Sequence, residues 1–139
     1  MMSSCRFAFA VHVLAVLASE KTDCCSSSRL ARTVNTNPVV IRRLLIELQQ
    51  AGLISTLRGP RGGAVLKRKP EKVTLREIHQ AVEPGDTFGA HPNEPSPECP
   101  VGKKIARVMG RIQARANRAL ARELETMTLA DVLRELRRP

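Results

Sequence analysis

The sequence predicts a mostly α-helical fold with one small β-hairpin, and three observations carry that expectation. Apolar residues recur at helical spacing in six separate stretches. Only residues 53–67 read as paired strands around a Gly/Pro-rich turn. Positive charge is concentrated: in a chain of 139 residues with formal net charge +10, residues 26–72 carry ten Lys or Arg against Glu47 and Glu71. The length suits one ordinary domain. Charge gathered in a third of the chain favours a polyanionic partner, whereas a uniform surplus would serve only solubility.

Taking the elements in order, Phe7, Val11, Leu14, Ala15 and Ala18 repeat at helical spacing over residues 5–19, with Ala10, Val13 and Leu17 widening the face. So broad an apolar surface predicts a helix packed on several sides, with His12 as a satisfied core histidine. The same run has some likeness to a secretion signal. His12 interrupts it, a single Arg6 precedes it, and no disulfide framework follows. It also falls short of the ~20 apolar residues a membrane span needs. The expectation is a cytoplasmic protein with no membrane partner.

A serine among Ser26, Ser27 and Ser28 caps a short helix reaching about Val34, with Leu30, Ala31 and Val34 inward. After the turn Asn35-Thr36-Asn37, Asn37 is a good N-cap and Pro38 fits the first helical position, where its missing N–H costs nothing. In the helix over 38–50, Ile41, Leu44, Leu45 and Leu48 share one face. Val39, Arg43, Ile46 and Gln50 lie opposite, with Arg42 on the flank, and Gly52 ends the helix. Two helices about a tight turn, the second basic on its outer face, make a helix-turn-helix pattern. Strands 53–57 and 64–67 flank Arg58-Gly59-Pro60-Arg61-Gly62-Gly63 as a wing.

Thr74 caps a helix over 75–83 with Leu75, Ile78 and Val82 inward. Five prolines make residues 84–100 a loop, and a loop of that length in a small protein is usually functional or disordered. From Val101 to about Thr126 the pattern is helical again, and at ~1.5 Å per residue it is close to 40 Å long. Its apolar stripe, Val101, Ile105, Val108, Ile112, Leu120 and Leu124, needs a partner, and a second copy is the economical one. Thr128 caps a final short helix with Leu129, Val132, Leu133 and Leu136 apolar. The expected organisation is therefore a winged helix-turn-helix head at 1–83, a Pro-rich effector or sensor loop at 84–100, and a dimerisation helix with a C-terminal short helix at 101–139.

The residue types point to duplex DNA. Three Phe with no Tyr or Trp are too few for a sheet that stacks single-stranded bases, while phosphates and base edges are met by Arg, Lys and hydrogen-bonding side chains. The expected contacts are Ser28, Arg29, Thr36, Asn37, Pro38, Val39, Arg42 and Arg43. Arg58 and Arg61 of the wing are expected in the minor groove. Backbone N–H groups at the start of the second helix are a further phosphate site. Arg42 and Arg43 by themselves would read as a solvated helix face; the capped turn before them and the wing after them favour DNA contact, and for Asn37 plain capping and phosphate contact are compatible readings. No nucleophile elbow, zinc-protease, P-loop or dinucleotide pattern is present, so no catalytic residue and no cofactor are expected.

Cys5, Cys24, Cys25 and Cys99 match no zinc spacing, and a reducing compartment is expected. Cys99 precedes the long helix, where a helix N-terminus makes a thiol more reactive. It is the candidate position for an oxidant, with a small molecule as the other effector class; a packed or capping cysteine is the plainer reading. Cys24 and Cys25 read as two residues of a variable turn and Cys5 as packing. His91 with Cys99 and Glu94 or Glu98 has no recognised metal spacing, so no metal site is assigned.

Arg6-Phe7-Ala8-Phe9-Ala10-Val11-His12, Asn37-Pro38-Val39-Val40-Ile41-Arg42-Arg43-Leu44-Leu45, Arg58-Gly59-Pro60-Arg61-Gly62-Gly63, Val73-Thr74-Leu75-Arg76-Glu77-Ile78 and Cys99-Pro100-Val101-Gly102 occur in this order. Together they resemble the bacterial winged-helix regulator family that includes IscR, NsrR and BadM. The resemblance spans nearly the whole chain. It implies a dimer with a long C-terminal helix and a wing that touches DNA. Well-known members hold an iron–sulfur cluster on three cysteines in the loop before that helix. Here the loop has only Cys99, so the chain is most similar to the YwnA-like branch without a cluster. The expected function is a sequence-specific double-stranded-DNA-binding regulator, a repressor acting as a homodimer on a pseudo-palindrome. The alternative is a basic adaptor dimer that binds a protein or structured RNA.

Overall fold

Four side-chain caps determine where helices begin. Ser26 Oγ accepts the Arg29 N–H at 3.2 Å and Asn37 Oδ1 accepts the Val39 N–H at 2.8 Å. Thr74 with Glu77, and Thr128 with Asp131, form reciprocal capping boxes. The computed structural model describes residues 4–19 and 24–139. Its order is α1 (Arg6–Ser19), α2 (Ser27–Val34), α3 (Pro38–Gln50), β1 (Ile54–Leu57), β2 (Gly63–Leu66), a 3₁₀ turn (Pro70–Lys72), α4 (Leu75–Val82), α5 (Pro100–Glu125) and α6 (Leu129–Leu136). The predicted mostly α fold with one hairpin is what forms. Among the described residues no helix is long and apolar enough to cross a membrane.

The chain divides into two compact units. One takes residues up to Pro84 together with Leu124–Pro139, and the other takes Gly85–Glu123. In the first, α1 is central, packing on α2, α3, α4, β2 and α6. Leu14, Leu30, Ile41, Leu44, Leu48, Leu53, Ile54, Ile78 and Leu129 are fully covered, each burial contributing about 1.5–3 kcal/mol. On α1 the buried set is Ala10, Val13, Leu14, Ala15 and Leu17. Phe7, Val11 and Ala18, expected at the centre of the stripe, are only half-covered, because neighbours on several sides decide which arc closes. His12 is exposed, which corrects the expectation of a core histidine: with Ala8 one turn earlier, it lies on the arc no neighbour covers. Arg6 joins three helices, its Nη2 paired with Glu47 of α3 and its Nε donating to Val82 O of α4 at 3.1 Å.

The C-terminal stretch is part of this unit. Leu75 N–H donates to Met127 O at 2.9 Å and Leu129 N–H to Val73 O at 2.8 Å, so Thr74 and Thr128 face each other across an antiparallel bridge. Leu129 and Leu133 are buried, and α6 packs on α1 and the 3₁₀ turn. Leu124 is buried here as well, at 8 % exposed. Of the six apolar residues expected at a dimer surface it is already covered by its own chain.

The second unit is the Pro-rich segment laid on the body of α5. Thr87 N–H and Oγ1–H donate to Asn117 Oδ1 at 3.0 and 2.6 Å, and Asn117 Nδ2 donates to Asp86 Oδ1 at 3.0 Å. Gln113 accepts the Phe88 N–H at 2.9 Å and returns a bond to Phe88 O. The segment is thus fixed to one flank of α5 by side-chain amides. Along another side, Val101, Val108 and Ile112 stay 67, 42 and 46 % exposed.

Candidate nucleic-acid interface

The turn between α2 and α3 is fixed at both ends. Asn35 adopts a left-handed conformation (φ 63°), a position open to Asn and Gly, while Thr36 N–H reaches Ala31 O at 2.9 Å. At the far end of α3, Gly52 (φ 77°) closes a Schellman motif, with Gly52 N–H to Gln49 O at 2.9 Å and Leu53 N–H to Leu48 O at 3.0 Å. Leu48 and Leu53 are both buried beneath it. With Ile41, Leu44, Leu45 and Leu48 inside, α3 presents Val39 (54 % exposed), Arg42 and Arg43 to solvent.

The start of α3 offers fewer open donors than its sequence suggests. Pro38 has no N–H, Val39 N–H goes to the Asn37 side chain, and Val40 N–H reaches Asn37 O at 3.0 Å. Capping accounts for these groups, so an incoming phosphate meets side chains here. Ser28, Arg29, Asn37 and Pro38 are exposed and Thr36 half-covered.

The wing is a regular antiparallel ladder, Ile54 opposite Leu66 and Leu57 opposite Gly63. Cys25 adds a third strand position: it exchanges bonds with Ala64 at 2.9 and 2.8 Å and is buried at 2 % exposed. This corrects its reading as a turn residue. A single bridging residue leaves no alternation in the sequence, so only its setting among small residues hinted at it. A Cβ at Gly63 would lie 2.4 Å from Cys25 O, so glycine is what allows the approach. Cys24 Sγ–H donates to Arg61 O at 2.8 Å, and Thr56 Oγ1–H to Gln49 Oε1 at 3.0 Å, fastening the wing to the turn before α2 and to α3. Arg58 and Arg61 sit exposed at the tip. Among the described residues, Arg42, Arg43, Arg58 and Arg61 form no ion pair, in contrast to Arg6, Arg68 and Arg76, which are bound to Glu47, Glu77 and Glu125. That separation of structural from unpaired arginines is the electrostatic signature of the surface.

Cys99 is exposed just before α5. The backbone N–H of Gly102, then that of Val101, hold its thiol below the usual cysteine value. Its own N–H reaches Ser96 O at 3.3 Å. Among the described residues no three of His, Cys, Asp and Glu gather as metal ligands. The segment before α5 offers one thiol, Cys99, so a cluster held by three thiolates of that segment does not fit its donor set. Cys24 and Cys25 are engaged at the wing, and His79 faces Phe7 edge-on at 5.3 Å with Glu83 3.7 Å away.

Against this geometry, the Rrf2 family model, described as an iron-dependent transcriptional regulator, matches residues 3–135. YwnA of Bacillus subtilis, described as a proposed HTH-type transcriptional regulator, is 38% identical over 136 residues, covering 97% of this chain and 99% of that one. A crystal structure of a candidate DNA-binding protein is 36% identical with a TM-score of 0.72, covering 92% of this chain and 98% of its own. The structure of CymR, the global cysteine regulator of B. subtilis, shares the fold at 22% identity and a TM-score of 0.67, covering 97% of this chain and 98% of its own.

Proposed function

Because the chain belongs to the Rrf2 family of transcriptional regulators, we propose that it reads a pseudo-palindromic operator on double-stranded DNA as a homodimer and acts there as a repressor in the cytoplasm. The observation that carries this reading is a capped α3 exposing Val39, Arg42 and Arg43 next in the chain to a hydrogen-bonded wing tipped by Arg58 and Arg61. Each α3 enters a major groove, where an arginine pairs with guanine O6 and N7 and Val39 meets a thymine methyl. Each wing arginine enters the minor groove beside it. Ser28, Arg29, Thr36 and Asn37 supply phosphate-side contacts, with Pro38 packing against the backbone beside them. The second copy covers Val101, Ile105, Val108, Ile112 and Leu120 of α5, and no catalytic step is assigned to any residue.

Selection from a random duplex library, followed by anisotropy across a salt series, tests the proposal. The expected result is a two-fold motif with half-sites about 34–36 Å apart or a multiple, bound at least ~10³-fold tighter than scrambled duplex. Arg43→Ala is expected to cost about 1–3 kcal/mol on the motif. Equal binding to every duplex would overturn it and leave the adaptor reading. Oxidant response is assigned to Cys99, supported by its exposure and lowered thiol. Cys99→Ser responding to peroxide as the wild type does would remove that assignment.

A further inference from the structure

The second unit contains a cleft of about 720 Å³ between the segment Asp86–Pro95 and the α5 stretch Ile105–Gln113. Its floor is apolar and compliant, made by Ile105, Met109 and Gly110. Asp86 and Glu94 stand on its lining, and no Lys or Arg does. In a chain of net charge +10 this is a local inversion: residues 84–100 hold three acidic side chains, one histidine (His91) and no Lys or Arg. The segment is tied to α5 where it enters the cleft. Asn117 holds Asp86 at 3.0 Å, and Gln113 clamps Phe88 through both its N–H and its C=O. A pre-formed apolar cleft with a few placed polar groups is the usual form of a small-molecule site.

We propose that this cleft binds a small organic cation, with its apolar body on Ile105, Met109 and Gly110 and its charge beside Asp86 and Glu94. A ligand carboxylate would face the two like charges of Asp86 and Glu94, with the imidazole of His91 as the one basic group on the lining and no Lys or Arg beside it. Ile105 belongs both to this floor and to the stripe assigned to the second copy, so an occupant alters the surface through which the heads are spaced. That regulatory consequence rests on the DNA-binding reading above; the binding site itself does not.

Tetraphenylphosphonium, titrated calorimetrically into the full chain without DNA, is the probe. Its isosteric anion tetraphenylborate is the control, because the field of a +10 chain favours the anion everywhere else. Saturable phosphonium binding is expected, weakened about tenfold or more by Asp86→Asn with Glu94→Gln, and lost in Gly110→Leu. Nothing lies within 4 Å of a Cβ at Gly110, and leucine is the better helix former, so this variant fills the cleft while the fold persists. No phosphonium binding, or binding unaltered by both variants, overturns the site. Operator affinity measured without the probe separates the two ideas. A chain that binds phosphonium but no duplex specifically retains the site and loses the regulator reading, and the reverse result does the opposite.

Discussion

The two units treat apolar surface in opposite ways. Unit 1 folds a core of large side chains inward within one chain, while Val39, Ile46, Leu57 and Leu136 stay exposed on it. Unit 2 has a 26-residue helix whose single buried residue, Leu124, already belongs to the other unit. Elsewhere along it Val101, Val108, Met109 and Ile112 remain exposed, and the segment laid on its flank is held by amide hydrogen bonds instead of a core. The unit with its own core carries the proposed reading surface, while the exposed stripe of α5 is the face assigned above to a second copy. The contrast separates stability that depends on the chain alone from stability that depends on concentration.

The strongest test sets Leu44→Ala against Ile112→Glu. Leu44 is fully buried, and its truncation is expected to cost about 2–5 kcal/mol in urea unfolding, equally at every protein concentration. Ile112→Glu is expected to shift sedimentation from dimer to monomer and to remove only the concentration-dependent part of Tm. If both variants behave alike, the division into a closed and an open unit is wrong. Next comes a glycine pair: Gly63→Ala drives a Cβ into Cys25 O and should cost on the order of 2 kcal/mol, while Gly85→Ala, with nothing within 4 Å, should leave thermal unfolding within about 0.5 kcal/mol.

Smaller effects follow from the caps. Thr74→Ala and Thr128→Ala should each lower stability by about 1 kcal/mol. Because their segments share a bridge, the double variant should depart from the sum, as a double-mutant cycle would show. The smallest effect is pH-dependent. The hydrogen bond from Arg68, chiefly, holds the Glu77 carboxyl below its ordinary value. Its contribution is therefore complete above that ordinary value and lost as pH falls through the depressed one. Glu77→Gln should be less stable than wild type at neutral pH, with the gap closing on acidification; a gap that widens in acid would contradict the pairing.

Much of the fold was legible because its boundaries are written in side chains. Ser26, Asn37-Pro38, Thr74 and Thr128 each announce a helix start, and Gly52 a stop, within the residue or two by which helix ends vary. The surface placement of Arg42, Arg43, Arg58 and Arg61 was legible from the faces opposite Ile41, Leu44 and Leu48 and from the glycines of the wing. What escaped is whatever lacks a period. On α1 apolar residues run around most of the helix, so the buried arc and the exposure of His12 depend on neighbours distant in sequence. Cys25 joins the sheet through a single residue. Gln113 and Asn117 look like solvated helix positions until the segment 86–88 is laid on them. Leu124 continues the stripe of α5 in sequence but is claimed by the core of unit 1.

The bridge between Thr74 and Thr128 makes residues 85–123 an excursion of roughly 40 residues whose two ends are pinned by unit 1, and closing such a loop carries an entropic cost that grows only slowly with its length. Part of that cost is already met by whatever orders the excursion beforehand. Under the proposals above, a molecule in the cleft or a second copy along α5 favours closure of unit 1 through chain entropy. In the order of synthesis the consequence is temporal: α1 to α3 and the wing are made before Leu129 and Leu133, whose helix packs on α1 and completes that side of the core.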